Sequence, residues 1–365
     1  MARPAYGVFV RNLVQAIAKR GVRCTVINPV SFFQTAPYSA PDQTDISHEA
    51  VQVIRPKYVS FSVKDICFFN TASLSLISFE RKVKQVLSGL SSPPDILYGH
   101  FLFQGGIVAA RLGAELNIPS VIAVGDSNFQ IIRKLGREKG IRDFRSADAF
   151  IAVSLLIKEM LMEVLKVPES KIGVFPNGID PARFFPRDRL LMRRQFGFPE
   201  NGFIIAFTGH FNERKGPHRL LSAVSGLKNV GILFIGAGDT PLAGKEVLFK
   251  GVLENSKLPE MLSAADIFVL PTTTEGSCNA IIEALACGLP VVTSKGRFND
   301  DIVDDNVSMR VDPLNVSEIR QAIETLLQNG DLRMRLSGNA LKKAANFDIN
   351  VRAERICAWM KRIRQ

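Results

Sequence analysis

Residues 266–294, DIFVLPTTTEGSCNAIIEALACGLPVVTS, admit few folds. The apolar run Ile267–Leu270 has strand length, and a polar loop, 271–278, follows it. A helical pattern over 279–287 is closed by Gly288, and Leu289-Pro290 leads into a second apolar run at Val291-Val292. Strand, helix and strand at this length make a βαβ unit with a parallel sheet. The loop then lies at the carboxyl end of its first strand, where open α/β sheets bind ligands. Gly276, Ser277 and Cys278 are small, so their amides can face an anion at the positive end of the helix dipole. Asn279 and Glu283 are four apart and share a helix face. Glu275 and Glu283 would repel a bare phosphate; accepting hydrogen bonds from hydroxyls suits them, and a nucleotide sugar offers both a ribose and a hexose. On spacing alone, a loop acid and an ordinary surface glutamate fit as well.

Composition narrows the class. A chain of 365 residues suits two domains, and 46% hydrophobic with 22% charged residues reads as soluble and globular. No apolar run approaches the ~18 residues of a membrane span, and the start, MARPAYGVFVRN, lacks the apolar core of a signal peptide. Cys24, Cys67, Cys278, Cys287 and Cys357 show neither ligand nor bridge spacing, which suits reduced thiols in a cytosol. Lysine and arginine total 46 against 35 acids, a net +11 that favours an anionic partner. No nucleic-acid module is present, so a phosphorylated donor or an anionic membrane surface is expected.

Along the chain, 7–20 reads as an amphipathic helix and 23–27 as a strand. Residues 28–60, with prolines at 29, 37, 41 and 56, read as irregular. A helix over 74–90 precedes a short strand, 95–98, with His100 at its carboxyl end. A helix over 105–117 and a strand over 119–124 follow. The segment 129–145 carries Arg133, Lys134, Arg137, Lys139, Arg142 and Arg145 beside an apolar side; it fits an anionic leaflet or a solvated helix. Prolines 176, 181, 186 and 199 place a linker between residues 177 and 201. Beyond the strand Phe203–Thr208, the glycine-bounded loop 209–216 holds Arg214 and Lys215 ahead of a helix starting near Pro217, a fitting diphosphate clamp. The run Gly236-Ala237-Gly238-Asp239 lacks the full dinucleotide fingerprint, which argues against an oxidoreductase.

The wording AADIFVLP…EGSCNAIIEALACGLPVV resembles the E-x7-E signature of the retaining glycosyltransferases of family 4, which have the GT-B fold. SADAFIAVS…KIGVFPNGIDPARFFP is similar to the family's passage between its two domains. The resemblance implies two doubly wound Rossmann-like α/β domains facing a cleft: 1–180 on the acceptor side, 181–346 for the nucleotide sugar, and 347–365 as a helix crossing back to the first. It implies that Glu275 contacts donor-sugar hydroxyls, that Glu283 binds the ribose, and that amides around Gly276, Ser277, Cys278 and Asn279 touch the diphosphate. Lys215 matches the family's diphosphate lysine; His210 stands at its arginine's place, with Arg214 the candidate to compensate. Val252 and Leu253 match the nucleobase contacts, and His100 matches a histidine beside the acceptor. Where members have a histidine near the donor sugar this chain has Val124; Asp126, the nearest polar candidate, takes over the sugar or caps the next helix. Members usually carry a strand and a glycine-bearing loop ahead of the segment matching YGVFVRNLVQAIAKRG, so the first strand is expected to be absent.

The implied reaction is retaining, metal-independent and cofactor-free transfer from a nucleoside diphosphate sugar to a glycan or lipid-linked acceptor. Its expected place is the cytoplasm, at the inner face of the cell membrane where lipid-linked acceptors lie. A degenerate GT-B subunit binding glycan or a partner transferase, and a sugar-nucleotide epimerase, are the alternatives.

Overall fold

The computed structural model describes residues 7–33, 50–61, 65–66, 69–126, 129 and 137–363. Two compact units divide the chain, Met1–Pro176 with Asn350–Gln365, and Asn177–Ile349.

The first unit contains α1 (Val8–Ala18), β1 (Cys24–Ile27), β2 (Val51–Ile54), α2 (Thr71–Ser88), β3 (Leu97–His100), α3 (Ile107–Leu116), β4 (Ser120–Val124), α4 (Arg137–Arg145), β5 (Ala149–Ala152), α5 (Leu155–Val164) and β6 (Ile172–Val174). Strands β6-β5-β4-β3 form one parallel sheet, and β1-β2 form a separate parallel pair. Every residue of β4 and β5 is buried, as expected of strands covered on both faces. In the second unit, α6 (Arg189–Phe196), β7 (Phe203–Thr208), α7 (Pro217–Val224), β8 (Val230–Ile235), β9 (Val247–Gly251), α8 (Leu258–Ser263), β10 (Ile267–Leu270), α9 (Asn279–Ala286), β11 (Val291–Ser294), β12 (Ser308–Val311), α10 (Val316–Gln328) and α11 (Gly330–Ala344) follow in order. Its six strands are all parallel, in the order β9-β8-β7-β10-β11-β12. Chain direction across the sheet reverses between β7 and β10, which are paired at Ile205↔Ile267. Loops leaving the carboxyl ends of those two strands diverge there, opening the crevice typical of doubly wound sheets.

The closing helix, α12 (Ile349–Ile363), lies from Asn350 onward in the first unit. Arg20 holds it through the Asn350 carbonyl at 3.0 Å and the Glu354 carboxylate at 2.8 Å, and Trp359 packs against Phe175 with ring centroids 6.3 Å apart.

Some expectations need correction. The stretch 28–60 is not wholly irregular: Val51–Ile54 pairs in parallel with Cys24–Ile27. The linker 177–201 contains helix α6, whose first turn is capped by Asp188 accepting from the Leu191 N–H at 2.7 Å. Of the basic segment 129–145, residues 130–136 lie outside the described residues; Arg137–Arg145 is helical and anchored by buried Phe144. Among the described residues no helix is long and apolar enough to cross a membrane.

Helix α6 is fixed by a buried ion pair. The Arg193 side chain, 2% exposed, meets Asp266 at 2.6 Å. It also donates to the carbonyls of Ala264, Glu200 and Gly202 at 2.9, 2.9 and 3.0 Å. Asp266 accepts in addition from the Ile204 N–H at 2.7 Å, so the pair joins the starts of β7 and β10. Removing one partner strands the other charge. Arg193→Ala is expected to cost about 3–5 kcal/mol, read as a lowered denaturation midpoint for the second unit.

Candidate active site

The carboxyl ends of β7 and β10 gather the second unit's polar groups. The loop after β7 is held by its neighbours: Phe211 N–H donates to Ala237 O at 2.7 Å, and Thr240 Oγ1 donates to Phe211 O at 2.9 Å. Gly236 permits this approach, since a Cβ there would overlap the Gly209 carbonyl oxygen. Lys215 N–H donates to Asn212 Oδ1 at 3.0 Å, and Arg214 O accepts from Thr273 N–H at 2.9 Å. The loop bearing both cations is thereby tied to the loop bearing Glu275.

At that junction one carboxylate oxygen takes three partners. Glu275 Oε1 lies 2.6 Å from Lys215 Nζ and 2.7 Å from Arg214 Nη1, and accepts from Thr272 Oγ1 at 2.9 Å. Arg214 Nη1 also donates to Thr274 O at 2.8 Å. The side chains of Lys215 and Glu275 are each 12% exposed, so their charges face one another with little intervening water. Glu275 Oε2 takes no hydrogen bond from the described residues.

Beyond Glu275 the chain turns into α9. Cys278 is extended at the N-cap and supplies no side-chain cap, which leaves first-turn N–H groups for an anion. Asn177 reaches Ser277 through its main-chain and side-chain N–H groups, both at 3.5 Å. Asn279 Oδ1 is buried without a hydrogen-bond partner. One turn on, Glu283 is partly buried by accessible surface, yet its carboxyl is packed closely enough that desolvation pushes its pKa up to about 7, against the opposing fields of Arg183 and Lys215. Burial likewise pushes the Cys278 thiol up to about 11, which leaves it un-ionised. His210 is exposed on the same loop as Lys215, and Val252, 58% exposed, follows β9 with Leu253 beside it.

The first unit carries the remaining candidates. His100 ends β3, with its ring among Phe9, Tyr98 and Phe101 at centroid distances of 5.4, 6.2 and 4.8 Å. Burial, with a smaller push from Arg352, lowers its pKa to about 4, so it is neutral at pH 7. Its Nδ1 and the Tyr98 hydroxyl are buried without hydrogen-bond partners. Asp126 Oδ2 accepts from the Leu102 N–H at 3.0 Å, and burial raises its pKa; residues 127–128 and 130–136, where a helix capped by it would begin, lie outside the described residues. Val124, the last residue of β4, is fully buried and offers no polar group.

The structure thus brings Arg214, Lys215, Glu275 and the Gly276–Asn279 turn together, with Glu283 within the field of Lys215. Thr272, Asn212 and Asn177 join the site and were not foreseen. Each acts by hydrogen bonds to particular atoms of a neighbour, which no residue spacing encodes.

Comparison with known proteins agrees with the architecture. A sequence model described as Glycosyltransferase Family 4 matches residues 7–183, and one described as Glycosyl transferases group 1 matches residues 188–343. A Bacillus subtilis protein, provisionally named the teichuronic acid biosynthesis glycosyltransferase TuaC, is 24% identical over 88% of this chain and 85% of its own length. A D-inositol 3-phosphate glycosyltransferase of Stackebrandtia nassauensis is 24% identical over 93% of this chain and 82% of its own. Among solved structures, sucrose-phosphate synthase from Thermosynechococcus elongatus superposes with a TM-score of 0.79 at 20% identity, covering 98% of this chain and 92% of the other. Anabaena HepE in complex with UDP superposes at 0.75 and 18% identity, covering 99% and 97%. The two sequence matches span both units, and the chain belongs to the family 4 glycosyltransferases of GT-B fold.

Proposed function

We propose that the protein is a retaining, metal-independent glycosyltransferase that moves a sugar from a nucleoside diphosphate sugar to a hydroxyl of a glycan or lipid-linked acceptor. The observation that carries the proposal is the convergence of Lys215 and Arg214 on Glu275 Oε1 beside the uncapped start of α9. Cations and amides so placed suit a diphosphate, and the second oxygen of Glu275 remains to accept from sugar hydroxyls. HepE has been solved with UDP and with UDP-glucose, which makes uridine nucleotides the first probes.

In the reaction the bond between the anomeric carbon and the diphosphate oxygen breaks. The acceptor oxygen bonds to that carbon on the same face, and its proton passes to the departing phosphate. Lys215, Arg214 and the α9 amides stabilise the charge that grows on the leaving group. Glu283 accepts from the ribose, Asn279 and Ser277 line the diphosphate, and Val252 and Leu253 flank the base. His100 serves the acceptor side of the reaction, and Asp126 takes over hydrogen bonding to the donor sugar. His210 and Val124 favour the second reading, a subunit that binds without transferring.

A thermal-shift panel of UDP, GDP and ADP and their common sugars tests the donor site. Saturation at a hundredfold excess over Kd adds roughly 2.7 kcal/mol. One nucleotide family is expected to stabilise the wild type and not Glu283→Ala; no shift with any of them would overturn the reading. Lys215→Ala is expected to cut diphosphate release from the selected donor by on the order of 10²-fold, with release in the wild type unaffected by EDTA. Binding without release in the wild type would favour the subunit.

Glu283 also sets a pH dependence. Its folded pKa, about 7, stands above the unfolded value, so the folded state holds the extra proton between about pH 4.5 and 7 and stability falls as pH rises through that window. Glu283→Gln is expected to remove this loss, worth at most roughly 3 kcal/mol. Denaturation of both proteins at pH 5 and pH 8 reads the difference.

A further inference from the structure

We propose that Arg219 is a positioning residue for Lys215, locking the cation-bearing loop to the end of β10; this rests on the donor-site reading above. Arg219 is the third residue of α7 and is 4% exposed. Its guanidinium lies directly against Gly216, where a Cβ would overlap it and where the backbone has a φ of 68°. Glycine at this position therefore gives the arginine its place beneath the loop.

From there the fork reaches both loops of the site. Nη1 lies 2.5 Å from Glu213 Oε1. Nη2 donates to Glu213 O at 2.9 Å and to Pro271 O at 3.0 Å. Glu213 immediately precedes Arg214 and Lys215, and Pro271 immediately follows β10 on the way to Glu275. One buried cation thus joins the carbonyl before the two cations to the carbonyl that opens the glutamate loop. The bond from Thr273 N–H to Arg214 O, at 2.9 Å, joins the same two loops a second time.

The geometry requires arginine. Its planar fork meets acceptors on two separate chain segments at once, whereas a lysine ammonium is a single point on a flexible stem. Losing the fork leaves the carbonyls of Glu213 and Pro271 without this donor in a site from which water is largely excluded. Lys215 and Glu275 would then no longer be held in register before a ligand arrives.

Arg219→Lys tests the assignment, with Glu213→Ala as a milder variant that removes only the exposed carboxylate. Amide exchange is expected to speed up at least tenfold at Thr273 and Lys215 in Arg219→Lys, with the β7 and β10 amides unchanged. Affinity is measured for UDP against uridine, GDP against guanosine, or ADP against adenosine, whichever pair the panel selects. The diphosphate is expected to lose at least tenfold and the nucleoside less than twofold. In a Lys215→Ala background, Arg219→Lys is expected to change diphosphate affinity less than twofold, the non-additivity of residues acting as one unit. Unchanged exchange, equal losses for diphosphate and nucleoside, or full additivity would each overturn the assignment. A wild type that binds no diphosphate overturns the donor-site reading and this role with it. Diphosphate binding that survives with an unaltered exchange pattern in Arg219→Lys overturns the role of Arg219 alone.

Discussion

The second unit depends on one carboxylate oxygen. Glu275 Oε1 draws Lys215 from the loop after β7 and Arg214 beside it, while Thr272 fixes the oxygen from its own loop. This contact is possible because β7 and β10 are neighbours although two strands separate them in sequence. The apolar runs dictate that adjacency: FIIAFT and IFVL are buried on both faces and must take central places in a parallel sheet. The reversal of chain order between them then brings their outgoing loops against each other, joined by the bond from Thr273 N–H to Arg214 O.

An ion cluster this buried is weak as a device for stability. Desolvating a lysine and a carboxylate costs about as much as their attraction returns. Its value lies in preorganisation. The Lys215 charge touches Glu275 and opposes the upward shifts of Glu283, beside Arg183, and of Cys278, so one ammonium acts on three groups of the crevice. A site with its cations fixed in advance stabilises developing negative charge without reorganising at the moment of reaction. Arg193 and Asp266, at the opposite ends of β7 and β10, are a different kind of pair: they bond carbonyls and amides of the strand starts and anchor a helix.

Sequence periodicity located the central strands well. Phe203–Thr208 and Ile267–Leu270 have the bounds expected of them, because a continuous apolar run is a local signal. Val51–Ile54 was hidden among prolines, and Ser308–Val311, SMRV, mixes polar and apolar residues; both are strands because a parallel neighbour accepts them. Arg189–Phe196 escaped notice because the prolines around it suggested a linker, and its stability comes from the distant Asp266. The site divides in the same way. Glu275, Glu283 and Lys215 stood out through the family wording around them; spacing alone did not single them out. Asn212, Thr272 and Arg219 work through backbone amides, carbonyls and two carboxylate oxygens, partners that only the folded chain brings near.

The first unit handles its charge in another manner. Arg352 is 7% exposed and its Nε bonds only the Phe175 carbonyl, at 3.4 Å, so burial lowers its pKa without a carboxylate among the described residues to oppose it. Its field adds to the desolvation that lowers His100, and the two effects hold the imidazole neutral with its pKa at about 4. Burial pushes Tyr98 up to about 12 despite the same guanidinium, so desolvation wins there as well. His100 and Tyr98 are therefore both uncharged at neutral pH beside the Arg352 guanidinium, while the second unit pairs its cations Lys215 and Arg214 with Glu275.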